Sequence, residues 1–132
     1  MKKKVYKGIK LRIDMNNKKD SEENKSQAYF YKDYLDCVMT IGIKQFADEH
    51  KCYWLMTDII SVAMVKFKDK QNFLNCNLKI LPGQKAKLII DDGDNNIIYT
   101  QDYEYTTLKE HVHLYCIKNE LNTYTLMNPN EY

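Results

Sequence analysis

Apolar and polar positions divide the chain into a few periodic stretches. Val5, Ile9, Leu11 and Ile13 share odd parity, with most basic residues on even positions, which predicts a strand over 5–13. Residues 14–27 hold Met15 but no other aliphatic residue and are dense in charge and amide, the pattern of a linker. Thr40 precedes Ile43, Phe46 and Ala47 at helical spacing, so a Thr-capped helix is expected over about 40–50. From Cys52 to Lys68, Thr57, Ser61 and Lys68 line up on a 3.6-residue wheel with Asp58 at their border. Leu55, Ile59, Val62 and Ala63 fall away from that stripe, which predicts the central packing helix. After Lys70 the period changes to two. Leu74, Cys76, Leu78 and Ile80 share one face, and Val112, Leu114 and Cys116 alternate with His111, His113 and Tyr115. Turns fall at Pro82-Gly83, at 91–96 around Gly93, and at 119–122. The expected architecture is α+β, with helices at about 40–50 and 52–68 packed on an antiparallel sheet of four or five strands within about 73–127. Residues 1–27 read as a basic strand or arm with a charged linker, and 28–132 as one α+β domain.

Bulk properties narrow the class. A chain of 132 residues with 44% hydrophobic positions is long enough for one well-buried core. No apolar run approaches the roughly 18–20 residues of a membrane span. The opening MKKK is not followed by an apolar signal region, so a cytoplasmic location is expected. Cys37, Cys52, Cys76 and Cys116 show no CxxC spacing and read as reduced, mostly buried thiols. The net charge of +2 is uneven: residues 1–12 carry six bases and no acid, and residues 91–132 carry two lysines against eight acids. That asymmetry bears on partners. Arg12 is the only arginine, which counts against base-specific DNA reading, where arginine forks grip guanine.

Little of the sequence looks like reaction chemistry. Asp58 lies among apolar residues and is expected at the wet edge of its helix, since burying it unpartnered is costly. His111 and His113 fall on one side of a strand and are weak candidates for a metal, with Asp102 and Glu104 on a neighbouring strand, or more remotely His50, as further ligands. The 91–96 turn fails the spacing of a calcium loop and reads as a hairpin turn. No phosphate-binding glycine loop, nucleophile elbow or HExxH occurs. No cofactor is expected, and a binding role is expected over catalysis.

Three segments, YWLMTDIIS (53–61), DDGDNNIIYTQDYEYT (91–106) and HLYCIKN with TLMNPNEY (113–132), give the chain a family likeness. In order and spacing they resemble a small uncharacterised bacterial family of phages, plasmids and other mobile elements, with a Tyr-Trp-Leu helix, an Asp-Gly turn and a closing Pro-x-Glu-Tyr end. The likeness covers about residues 28–132. Thr107 stands where that family usually has Asp, and Asn130 where it has Ser. The resemblance implies a compact α+β domain of mobile-element origin and carries over no catalytic residue. Two roles are expected from this. One is a non-enzymatic, anti-CRISPR-like inhibitor that occupies a basic host effector through Asp91, Asp92, Asp94, Asp102 and Glu104. The alternative is a nucleic-acid-binding accessory protein, with Lys2, Lys3, Lys4, Lys7, Lys10 and Arg12 on phosphates and Tyr29 and Tyr31 stacking on bases.

Overall fold

The computed structural model describes residues 30–32 and 34–132. The expected strand at 5–13, the linker at 14–27, the basic residues Lys2 to Arg12 and Tyr29 lie outside the described residues. The fold is α+β. Among the described residues seven strands, β1 (Phe30–Lys32), β2 (Val38–Thr40), β3 (Phe73–Leu81), β4 (Lys85–Asp91), β5 (Ile97–Tyr103), β6 (Val112–Lys118) and β7 (Tyr124–Met127), accompany helices α1 (Ile41–His50) and α2 (Tyr53–Val62). They form one sheet in the order β1-β2-β7-β6-β3-β4-β5.

The five strands from β3 to β7 pair antiparallel, as expected. The sheet is nevertheless larger than the expected four or five antiparallel strands, and it is mixed. β1 and β2 extend it, and β2 runs parallel to β7, with Val38 opposite Thr125 and Met39 opposite Leu126. Each added strand has three residues, too few to show alternation. What makes β2 a strand is the edge of β7, remote in the chain, and β1 in turn pairs on β2.

Register separates the two faces of the sheet. Leu74, Cys76 and Leu78 of β3, Ala86, Leu88 and Ile90 of β4, and Val112, Leu114 and Cys116 of β6 are buried in one core with Ile43 and Ala47 of α1 and Leu55, Met56, Ile59 and Ile60 of α2. Both helices therefore cover the same face. Thr40 caps α1 as expected, its hydroxyl oxygen accepting the Ile43 N–H at 3.3 Å. The packing helix expected over 52–68 continues past α2 as a π-helical turn, Ala63–Phe67. Its last carbonyls need partners once intrahelical bonding ends. The buried Tyr124 hydroxyl lies 2.9 Å from the Phe67 carbonyl and 2.6 Å from that of Gln71, and the Lys118 ammonium donates to the Lys68 carbonyl.

The C-terminal segment fastens the other end of the helical layer. Glu131 accepts the Thr40 hydroxyl at 2.7 Å and the Asn128 N–H at 2.8 Å through one oxygen, Oε1. Its second oxygen lies 2.6 Å from where a Cβ on Gly42 would sit, so Gly42 leaves the room this carboxylate occupies at the start of α1. A negative group there also meets the positive end of the helix dipole.

Candidate functional site

The face of β3, β4 and β6 opposite the helices carries the odd-numbered positions of those strands. In β3 these are Phe73, Asn75, Asn77, Lys79 and Leu81. Asn is a poor strand former, and two in mid-strand ask for a side-chain reason. The register supplies one. Asn75 stands between Tyr115 of β6 and Asp91 of β4. Its Nδ2 donates to Asp91 Oδ2 at 3.0 Å, and its Oδ1 lies 2.6 Å from His113 Nε2. The Asp91 carboxylate accepts only, which fixes the amide orientation. An amide oxygen cannot donate, so His113 must carry its proton on Nε2.

Beside this chain sits a cluster of rings. Phe73 and Tyr115 have centroids 4.8 Å apart. Tyr115 meets Tyr132 edge-on at 5.7 Å and His113 edge-on at 5.4 Å. Tyr132 is 78% exposed, so the cluster opens to solvent. The β4–β5 turn closes over its edge. Gly93 has φ +93°, and a Cβ there would lie 2.9 Å from the Phe73 ring. Asp91 Oδ1 accepts the Gly93 N–H at 2.8 Å. Asp92 accepts the N–H groups of Asp94 and Asn96 and the Asn96 amide, and these bonds, the Asn96 side chain first, lower its pKa. Asp91 and Asp92 therefore shape the turn as well as charge it.

The structure divides the five acidic candidates. Asp91, Asp92 and Asp94 lie at the aromatic corner. Asp102 and Glu104 belong to the opposite end of the β4–β5 hairpin, where Lys87 lies 3.6 Å from Asp102 and Lys85 lies 3.9 Å from Glu104. Tyr31, the remaining stacking candidate, falls in β1.

The strand order does not bring the suggested metal ligands together. β5 does not neighbour β6, because β3 and β4 intervene, so Asp102 and Glu104 do not stand opposite the histidines. His113 is held by Asn75, while His111 Nδ1 accepts the Ile80 N–H at 2.9 Å where the β3–β6 ladder ends. His50 does approach His111, across a cavity of about 350 Å³ that Phe46, Leu108 and Glu110 also line. Among the described residues no three His, Cys, Asp or Glu side chains gather in metal-binding geometry.

Asp58 has a partner that sequence reading did not supply. The Tyr103 hydroxyl of β5 donates to its Oδ2 at 2.6 Å, and Trp54, one turn earlier on α2, meets the Tyr103 ring edge-on at 5.1 Å. Burial, then the Asp58 carboxylate, raises the Tyr103 pKa far above the ordinary phenol value. Asp58 is half-buried and ties the helix to the sheet. All four cysteines are buried and form no disulfide. Burial pushes Cys52 up to about 11 and Cys76 and Cys116 higher, the reverse of an activated thiol.

A family model described as a family of unknown function (DUF6876) matches residues 15–132, starting thirteen positions before the likeness seen in the motifs. No curated protein and no solved structure matches the chain. Among the described residues no helix is long and apolar enough to cross a membrane.

Proposed function

The chain belongs to DUF6876, a family of unknown function, and from that premise we propose that it is a small non-enzymatic binding protein that docks a basic partner protein on the open face of its sheet. The observation that carries this reading is one corner, where the turn of Asp91, Asp92 and Asp94 adjoins the rings of Phe73, Tyr115 and Tyr132. Tyrosine is enriched at the energetic centres of interfaces, and charge belongs to the polar rim around them. Carboxylates at such a corner steer a basic surface onto it. Thiols pushed away from ionisation support a binding role over nucleophilic chemistry. Buried cysteines without a disulfide suit a reducing cytoplasm. The partner class that fits the charge is a basic, nucleic-acid-binding host effector, which makes the protein an anti-CRISPR-like inhibitor carried by a mobile element.

The test is capture of the tagged full chain with its bound proteins from host lysate, with and without nuclease, beside an Asp94→Lys/Tyr132→Ala variant. Recovery of one basic protein that survives nuclease and is lost with the variant is the expected result. Recovery only while nucleic acid is intact, and undiminished in the variant, would overturn this reading and favour the Lys-rich segment at residues 2–12 as a nucleic-acid contact.

A further inference from the structure

The groups at the aromatic corner share a polarity. Asp91 and Asp94 are carboxylates and accept only. Because Asn75 turns its oxygen to His113, the exposed imidazole keeps its proton on Nε2, and Nδ1 is left as an acceptor in the neutral ring. Tyr115 stands nearly perpendicular to both His113 and Tyr132, at 89° and 88°, so neighbouring rings bound the corner at right angles. The face of an aromatic ring carries negative potential. Apart from the two phenol hydroxyls, which donate and accept, and the second N–H of the Asn75 amide, this corner offers acceptors and aromatic surface. Its complement is a cation with several donors and no acceptor.

Two protein side chains have that character. A lysine ammonium is a compact, strongly hydrated point charge. An arginine guanidinium is planar, stacks on a ring face and sends five N–H donors to separate acceptors. We infer that the corner formed by Tyr115, Tyr132, His113 and Asp91 is a binding site for an arginine side chain of the partner protein. The inference rests on the reading that this face docks a basic protein, and it names the residue that anchors the contact. His113 acts in it as a specificity residue, with Asn75 and Asp91 holding its tautomer.

The test uses the full ¹⁵N-labelled chain and two acetylated, amidated peptides of equal charge, one alternating glycine with arginine and the other glycine with lysine. The arginine peptide is expected to shift the Gly93, His113 and Tyr115 amide signals and to bind about threefold more tightly than the lysine peptide, the advantage of a guanidinium that stacks flat on a ring over an ammonium that meets the same ring as a hydrated point charge. Tyr132→Ala, at an exposed position, is expected to remove that preference. Long-range ¹H–¹⁵N spectra above the ordinary histidine titration range should show the His113 proton on Nε2. Equal shifts from both peptides would overturn the arginine site and leave basic docking standing. No shift at this corner from either peptide would overturn both. A His113 proton on Nδ1 would remove the specificity role.

Discussion

Gly93→Ala tests how the acidic turn is seated on the aromatic cluster. Two costs are separable. The first is backbone: Gly93 has φ +93°, where a side chain is strained by about 1–2 kcal/mol. The second is contact: the new Cβ would lie 2.9 Å and 3.0 Å from two carbons of the Phe73 ring. Phe73 is packed against Tyr115 at 4.8 Å, so a displaced ring gives up part of an aromatic pair worth about 0.5–1.5 kcal/mol. The expected loss is about 2–3 kcal/mol. With a urea slope of about 1–3 kcal/mol/M, that moves the midpoint down by about 0.7–3 M. Trp54, the single tryptophan, packs against Tyr103 on the helical side and reports global unfolding rather than a change at the turn. In a Phe73→Ala background the contact cost vanishes and the backbone cost stays, so the double-mutant cycle should show a coupling of about 1 kcal/mol. Asp94→Ala, on the exposed tip, should stay within about 0.5 kcal/mol of the parent. A Gly93→Ala protein as stable as the parent, or an equal loss in both backgrounds, would refute the argument.

Three further outcomes follow from contacts elsewhere. Glu131→Ala removes the bonds to Thr40 and Asn128 and should cost about 1–2 kcal/mol, discounted for its exposure, while Glu131→Gln costs less; faster hydrogen exchange at Ile43 is the local signature, and unchanged exchange would sink the clamp. Tyr103→Phe and Asp58→Ala each remove the same 2.6 Å bond, so each should cost about 1–2 kcal/mol, and the double variant should cost no more than the worse single by urea denaturation. Raising pH should destabilise the fold through its thiols. Cys52, Cys76 and Cys116 have folded pKa values above their unfolded ones, so the unfolded chain loses protons first, and their contribution is complete below the ordinary thiol range and lost above it. Each such group gives up to about 1.4 kcal/mol per pH unit above the ordinary thiol range, and for Cys52 that slope ends near about 11. A urea midpoint that stays flat from neutral pH to that point would contradict the burial argument.

The parts of the fold that the sequence makes legible are those whose signal is local. Thr40 before a 3.6-residue period announces α1, and strict alternation in β3 and β6 announces strands and says which residues face the core. The three-residue strands β1 and β2 carry no such period; β2 exists because β7 offers an edge, and β1 because β2 then offers another. The same limit hides the candidate site. Parity places Phe73, Asn75, His113 and Tyr115 on one side of their strands, but it does not say that β6 lies beside β3 rather than beside β5. Sequential adjacency suggested β5, and on that order the histidines would meet Asp102 and Glu104. The observed order, β6-β3-β4, joins His113 to Asp91 through Asn75. One local clue pointed there: two asparagines at the outward positions of a strand, where asparagine is disfavoured unless its amide has work to do. The family-like segments supplied the other. Asp91 and Gly93 come from one, His113 and Tyr115 from the second, and Tyr132 from its closing end. These residues are remote in sequence and meet around Phe73 and Asn75, so two of the three family-like segments share one surface of the folded chain, while the first, at 53–61, forms α2 on the opposite face of the sheet.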